Sequence, residues 1–213
     1  SLGFVNRESR QFVSVEQCLL MDDWINGALE QLQGLCSETT QLSVRYGIDT
    51  GEYLVQPTLK NDNIPLASGQ KYYMDSLNGR NFRVASPSFF QVNISQAGRM
   101  VEEVKNALRL SGDELVVDVY AGVGTFAIML APHCRKVIAI EESRAAVEDT
   151  KVNASGIGNL EVWQARAEKA LSEMQERPDG VVLDPPRAGC HADVLVALAK
   201  LKPKRVVYIS CDP

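Results

Sequence analysis

Cys211, near the end of the chain in Ser210-Cys211-Asp212-Pro213, is the residue best suited to nucleophilic chemistry. It follows an apolar run, 205–209, that is typical of a buried parallel strand. The run 180–183 precedes Asp184-Pro185-Pro186-Arg187 in the same way. Ligands of open α/β sheets bind at the carboxyl ends of the strands, so this thiol and this carboxylate predict a site there. By position alone, Cys211 could equally be a small residue packed under a loop.

A glycine-rich turn follows the first strand predicted for this sheet, in Asp118-Val119-Tyr120-Ala121-Gly122-Val123-Gly124-Thr125. Gly122 and Gly124 fit a turn that brings a ligand against the backbone and a helix N-terminus. Glu141 ends the next strand, where an acid would accept bonds from both hydroxyls of a ribose. The glycines alone also fit a dinucleotide site, but Asp118 would repel a pyrophosphate and attract an ammonium group. S-adenosylmethionine carries that ammonium group and a ribose, so it is the predicted cofactor.

The elements that must position these residues alternate between strand and helix from Ser95 onward. A first helix leads into strands at 114–119, 136–140, 160–163, 181–183 and 206–209, with helices at 143–153, 168–174 and 192–201. This succession predicts an α/β fold with a doubly wound parallel sheet. The last strand would lie at an edge, and we expect a neighbouring molecule or an N-terminal segment to cover it.

The earlier part of the chain has a different pattern. Apolar residues at helical spacing predict a helix over 16–35, and hairpin turns are predicted at Asp49-Thr50-Gly51 and at Asn78-Gly79. The predicted domains are therefore a smaller α+β region over 1–85 and a cofactor-binding domain over 86–213 that stops after its fifth strand.

Composition limits the class of protein. The 213 residues are 45% hydrophobic and 23% charged, as in ordinary globular chains, and neither a membrane span nor a signal peptide is predicted. Five scattered cysteines favour a reducing cytoplasm over a disulfide framework. The formal net charge of −5 provides no overall attraction to nucleic acid, so any RNA contact requires a local patch.

Five motifs occur in the order and spacing of the RNA (uracil-5-)-methyltransferase family, which the chain resembles over nearly its whole length. They are Phe89-Phe90-Gln91-Val92-Asn93, the turn from Asp118 to Phe126, Val137-Ile138-Ala139-Ile140-Glu141, Asp184-Pro185-Pro186-Arg187-Ala188-Gly189 and Tyr208-Ile209-Ser210-Cys211-Asp212-Pro213. The resemblance implies a class I S-adenosylmethionine-dependent methyltransferase fold. It also implies methylation of carbon 5 of a uridine in RNA, with 23S rRNA favoured over tRNA.

The same resemblance assigns roles to individual residues. Gln91, Tyr120, Glu141 and Asp184 correspond to cofactor contacts of the family, with Thr125 a further candidate, and Cys211 corresponds to the nucleophile. A thiolate is needed because carbon 5 of uracil is a poor nucleophile until a group adds to carbon 6.

Three further residues are predicted to serve the RNA substrate. Arg187 is a nearby positive charge that could lower the pKa of the Cys211 thiol. Phe89 or Phe90 could stack on a base flipped from its RNA context, and one of the two is expected to belong to the core.

The family pattern extends past both ends of this sequence. Its general base is a glutamate C-terminal to the cysteine, so we expect the base to lie beyond Pro213 and the 213 residues alone not to sustain turnover. Its small N-terminal RNA-binding barrel has no counterpart here. Cys18 resembles the last of four iron–sulfur ligands in some members, but one cysteine cannot hold a cluster, and no metal site is predicted.

Two other functions are compatible with parts of this pattern. RNA cytosine-5 methyltransferases are expected to carry a cysteine directly after the proline of the preceding loop, where this chain has Arg187 after Pro186. A nicotinamide-dependent oxidoreductase could use the Gly122 and Gly124 turn, but Asp118 and the two downstream motifs argue against it.

Overall fold

The computed structural model describes residues 1–210, so Cys211 lies outside the described residues. Two compact units make up the chain, Ser1–Ser76 and Leu77–Pro213. The division falls before the boundary predicted after residue 85. The strand that contains Arg83 belongs to the second unit, because Arg83 bonds to a helix of that unit through the side chains of Asp149 and Asn153.

The first unit contains short antiparallel hairpins and one helix. Strands β1 (Gly3–Val5) and β2 (Phe12–Ser14) pair with each other, as do β3 (Ser43–Tyr46) and β4 (Tyr53–Gln56), and β5 (Tyr72–Leu77) begins in this unit. Helix α1 (Asp23–Leu32) is shorter than the predicted 16–35, because the Asp22 side chain accepts a 2.8 Å bond from the Trp24 N–H and caps the helix there. The β1–β2 hairpin was not predicted. Its strands have only three residues each, too few to show an alternating pattern.

The second unit follows the predicted alternation closely. Its elements are β6 (Arg80–Ala85), α2 (Ile94–Leu108), β7 (Leu115–Val119), α3 (Thr125–Leu130), β8 (Lys136–Glu141), α4 (Arg144–Asn153), β9 (Leu160–Gln164), α5 (Ala167–Glu173), β10 (Gly180–Leu183), α6 (Ala192–Leu201) and β11 (Arg205–Tyr208). A single 3₁₀ turn, Ala131–His133, follows α3. Asn78 and Gly79, which precede β6, both have positive φ, as the predicted hairpin turn requires.

Five strands form one parallel sheet in the order β11-β10-β7-β8-β9. The predicted α/β fold with a parallel sheet is confirmed. The sheet order ends at β11, and the expectation that this edge is covered stays a prediction. Within residues 1–210, no helix is both long and apolar enough to cross a membrane.

The central strands β7 and β10 form the core of the sheet. Every residue of β7 and β10 is buried, and their apolar side chains pack with α5 and α6 into one core. The chain reverses after each parallel strand, so the carboxyl ends of β7, β8 and β10 meet at one place, which we call the carboxyl edge.

Candidate active site

Asp118, near the end of β7, stabilises the start of helix α3. The helix begins after Gly124, which has no side chain to cap it. The Oδ2 atom of Asp118 instead accepts a 2.8 Å hydrogen bond from the Ala127 N–H, one of the backbone groups that the first turn leaves unpaired.

The other oxygen of the same carboxyl group has no protein partner. Asp118 is completely buried, and its Oδ1 atom accepts no hydrogen bond from any described residue. Burial raises the pKa of Asp118 to about 7, and the negative charges of Asp184 and Glu141 add to the effect. Burying such a group costs folding free energy unless a hydrogen-bond donor or a cation contacts it. This oxygen therefore marks a place for a positively charged ligand group.

Glu141, at the end of β8, supports the glycine turn. Its Oε2 atom accepts the Gly122 N–H at 2.9 Å, and its Oε1 atom accepts the Ser143 N–H at 2.7 Å. A carboxylate oxygen can accept a second bond, so Glu141 retains acceptor capacity for a ligand. Glu141 thus fixes the glycine turn and can still accept hydrogen bonds from a ligand.

Gly122 and Gly124 have different surroundings although both have positive φ. A Cβ atom on Gly122 would meet nothing within 4 Å, whereas one on Gly124 would lie 2.7 Å from Thr150 Cγ2 and 2.9 Å from Ile128 Cδ1. The Thr150 hydroxyl also donates a 2.8 Å bond to the Gly122 carbonyl. Gly124 is therefore required by packing against α4, and Gly122 borders open space. Thr125, half-buried, is the first residue of α3.

Tyr120 connects the end of β7 to this turn in a left-handed conformation, with φ of 67°. Such a backbone is uncommon for a bulky residue and indicates local strain. The ring packs against the core of the sheet. Burial is the main reason why the pKa of Tyr120 rises to about 12.

Asp184 lies immediately after β10, at the start of the loop that leads to α6, residues 184–191. It is half-buried, and burial raises its pKa. Its N–H donates to the Val119 carbonyl at 3.4 Å, which places the residue beside the end of β7. Three carboxyl groups, those of Asp118, Glu141 and Asp184, therefore converge at the carboxyl edge, where a cation would be stabilised.

A small cavity lies between this loop and the end of β11. Its volume is about 170 Å³, and it is lined by Pro185, Pro186, Arg187, Ala188, Gly189 and the stretch from Tyr208 to Ser210. Arg187 is exposed at its border. The cavity is next in sequence to Cys211 and has a size suited to a small planar ring.

The two neighbouring phenylalanines, Phe89 and Phe90, differ clearly in their exposure to solvent. Phe90 is 6% exposed and packs on Phe82 with ring centroids 5.4 Å apart, whereas Phe89 is 67% exposed. The expectation that one of them belongs to the core is confirmed. The predicted substrate role of Phe90 is corrected, because its buried ring has no free face for a base. Gln91, the next residue, is half-buried.

Asp149 on α4 was not predicted, and it holds the start of this segment. The residue is completely buried; its Oδ1 accepts Arg83 Nε, and its Oδ2 accepts the Ala85 N–H and the Ser88 hydroxyl, each at 2.8 Å. One carboxylate thus fixes the backbone just before Phe89. The available signal was an acid on the buried face of a predicted helix, next to Thr150.

Cys190, in the loop that leads to α6, is half-buried and packs against the core of the sheet. Burial raises the pKa of its thiol.

The parallel sheet, the glycine turn and the acids at the carboxyl edge define a Rossmann-like protein of the methyltransferase class. A solved structure described as the Pyrococcus abyssi tRNA (uracil-54, C5)-methyltransferase in complex with S-adenosyl-L-homocysteine has the same fold, with a TM-score of 0.75 and 24% identity. The match covers 95% of this chain and 61% of that one. The tRNA (uracil-5-)-methyltransferase family model matches residues 60–213, and the chain belongs to that family.

Curated relatives agree with this membership. An uncharacterized RNA methyltransferase of Oceanobacillus iheyensis is 38% identical over 150 residues, covering 68% of this chain and 33% of the relative. Another, from Synechocystis, is 30% identical over an alignment covering 99% of this chain and 57% of the relative. The chain thus spans between about a third and three-fifths of the length of these relatives.

Proposed function

We propose that this chain forms the cofactor-binding and catalytic part of an enzyme that methylates carbon 5 of a uridine in RNA, with S-adenosylmethionine as methyl donor. The unpartnered, buried Oδ1 atom of Asp118 carries the proposal. Glu141 and Asp184 add negative charge around it. Both the ammonium and the sulfonium of this cofactor are cationic, whereas a dinucleotide would bring a pyrophosphate into the same field.

The adenosine end of the cofactor fits the other side of the turn. Glu141 keeps acceptor capacity for two ribose hydroxyls, and Gly122 leaves open space where a ligand can approach the backbone. The half-buried Gln91 and Tyr120 are the further contacts suggested by the family motifs. The structural neighbour, described in a complex with S-adenosyl-L-homocysteine, supports the choice of cofactor.

The proposed reaction uses Cys211 as its nucleophile. Its thiolate forms a bond to carbon 6 of uracil, and the electrons of the 5,6 double bond move to the oxygen on carbon 4. Carbon 5 is then nucleophilic enough to take the methyl group that the bound cofactor supplies as an electrophile. Removal of the carbon 5 proton by a base and expulsion of the thiolate restore the double bond and free the enzyme.

The target base would occupy the cavity beside loop 184–191. Arg187 lies at its border and offers a positive charge to the RNA and to the thiolate. The exposed ring of Phe89 is a surface on which a flipped base can stack. These positive and aromatic contacts are local. The formal net charge of −5 gives no overall attraction to RNA, so RNA binding must depend on local contacts of this kind.

Two measurements test the proposal. Isothermal titration should show binding of S-adenosylmethionine and S-adenosylhomocysteine but not of NAD, and Asp118→Asn should abolish that binding. Nucleoside mass spectrometry of RNA incubated with the intact protein and labelled cofactor should show 5-methyluridine in 23S rRNA, which the family resemblance favours, or in tRNA. Binding of NAD alone, or 5-methylcytidine as the product, would refute the proposal.

A further inference from the structure

Asn153, the last residue of helix α4, is a buried amide with a hydrogen-bond partner on each of its polar atoms. Its Oδ1 atom accepts the Arg83 N–H at 2.7 Å, and its Nδ2 atom donates to the carbonyls of Arg83 and Val123 at 3.0 and 3.1 Å. A carboxylate of the same shape could accept a hydrogen bond but could not donate one. The three partners therefore require an amide at this position.

The partners of Asn153 belong to two separate parts of the candidate site. Val123 is the middle residue of the glycine turn, whereas Arg83 lies on β6, the strand that leads to Phe89. Asn153 is 70 positions from Arg83 in the sequence and 30 from Val123. One side chain thus joins the turn proposed to hold the cofactor to the strand that leads to the proposed base-stacking ring.

Two other side chains on the same face of α4 reinforce these two parts separately. The Thr150 hydroxyl donates to the Gly122 carbonyl of the turn at 2.8 Å. Asp149 accepts the Ala85 N–H at the end of β6 and the Ser88 hydroxyl beyond it, each at 2.8 Å. Because one helix carries all of these bonds, the glycine turn and the end of β6 are held at a fixed separation.

We propose that Asn153 is a positioning residue for methyl transfer: it holds the glycine turn and β6 at the separation that aligns the methyl group of the cofactor with the target base. This inference rests on the proposed function, which places the cofactor at the turn and the base against Phe89. Asn153 contacts neither ligand in this proposal. Because transfer depends on the alignment of the two reacting carbons, a link between their binding parts affects the rate of transfer more than either affinity.

Asn153→Ala removes the three side-chain bonds and leaves Asp118, Glu141 and Phe89 in place. In the intact protein, at saturating cofactor and RNA, the single-turnover rate of methyl transfer should fall roughly 10- to 100-fold, while Kd for S-adenosylhomocysteine and for RNA should change less than about threefold. A residue that served the fold alone would lower stability and leave the transfer rate of the folded protein unchanged.

Asn159→Ala is the matched control. The Asn159 Nδ2 atom also donates to two carbonyls, those of Ala131 and Cys134, at 2.8 and 2.9 Å. This residue precedes β9, at the end of the sheet opposite the carboxyl edge. The variant should lose stability in urea unfolding, as Asn153→Ala does, and keep the wild-type rate of methyl transfer.

Amide hydrogen exchange tests the link without any ligand. The Arg83 N–H, which bonds to Asn153, and the Gly124 N–H, which bonds to the Ala121 carbonyl within the turn, should exchange faster in Asn153→Ala and not in Asn159→Ala. This readout needs no methyl transfer, so it tests the link even if the wild-type protein proves inactive and the proposed function fails. If Asn153→Ala does not fold, the wild type provides the test: S-adenosylhomocysteine should slow exchange of the Arg83 N–H across the link.

Three results would overturn the inference. One is a folded Asn153→Ala protein with the wild-type rate of transfer, or with wild-type exchange at Gly124, since the turn would then not depend on this amide. Another is an equal loss of rate in Asn159→Ala, because the rate would then follow stability. The third applies when Asn153→Ala does not fold: unchanged exchange at Arg83 in the wild type on binding of S-adenosylhomocysteine.

Discussion

The Oδ2 atom of Asp118 lies 2.8 Å from the backbone nitrogen of Ala127, so a fully buried acid of the sheet caps the helix that follows the glycine turn. Its pKa, about 7, is far above the value of about 3.9 expected in the unfolded chain. The folded protein therefore binds the extra proton between about pH 4 and pH 7, and the free energy of unfolding should fall as pH rises through that window.

Asp118→Asn tests this relationship, because the amide keeps an acceptor for Ala127 and removes the charge. Without ligand, the variant should be more stable than the wild type at pH 8, by a few kcal/mol, and the difference should disappear near pH 4. Urea unfolding at several pH values measures it. Parallel stability curves for the two proteins would show that Asp118 is not protonated in this window.

Glu141→Ala should weaken binding of S-adenosylhomocysteine by about 1.5–3 kcal/mol, because two charge-assisted hydrogen bonds to the ribose are lost. Titration calorimetry gives the dissociation constant. Glu142→Ala, a change at the exposed neighbouring position, is the control and should leave it unchanged. Equal affinities for all three proteins would remove Glu141 from the cofactor site.

In the intact protein, Cys211→Ser should abolish methyl transfer and leave cofactor affinity nearly intact, since the thiolate acts on the base. RNA that contains 5-fluorouridine should form a covalent adduct with the wild type, because fluorine at carbon 5 cannot leave as a proton does. Gel electrophoresis under denaturing conditions detects the adduct, and RNA with ordinary uridine is the control. An adduct in the Cys211→Ser protein would assign the nucleophile elsewhere.

Phe89→Ala should affect RNA binding, whereas Phe90→Ala should affect the stability of the fold. The exposed Phe89 ring contributes little to the fold, so its loss should weaken RNA binding by about 1–3 kcal/mol of stacking free energy, measured as a higher KM for RNA, and leave stability unchanged. Loss of the buried Phe90 ring should destabilise the protein by about 3–5 kcal/mol. Thermal unfolding and steady-state kinetics separate the two. A stable Phe90→Ala protein with poor RNA binding would reverse the assignment.

Asp149→Ala should destabilise the protein by about 3 kcal/mol, because Arg83, the Ala85 N–H and the Ser88 hydroxyl lose a buried partner. Its neighbour Glu148 forms an exposed pair with Arg144 on the same helix. Glu148→Ala should therefore cost only about 0.5 kcal/mol or less. Similar losses for the two variants in urea unfolding would contradict the role of Asp149.

The sheet was predictable because its signals are local and repeated. Apolar runs such as 115–117 and 181–183 are interrupted at regular spacing by helical patterns, and each acid of the site directly follows or ends such a run. The chain geometry of parallel strands then brings Glu141 and Asp184 to one edge without further information.

The contacts made by helix α4 were not predictable. Asp149 meets Ala85 and Ser88 across more than sixty positions of sequence, with separations of 64 and 61. Nothing in the residue types distinguishes such partners from solvent-facing polar groups before the strand order is known.

Three side chains on one face of α4 hold separate pieces of the site. Asp149 fixes the backbone before Phe89, Thr150 bonds to the Gly122 carbonyl, and Asn153 bonds to the carbonyls of Arg83 and Val123. None of them is proposed to touch cofactor or RNA. In a saturation mutagenesis screen this helix face should nevertheless tolerate as little change as the reacting residues themselves. Intolerance to substitution along α4 would then reflect the need to hold the parts of the site in place. Engineered relatives with altered substrates should retain this helix face, while the residues that line the cavity vary.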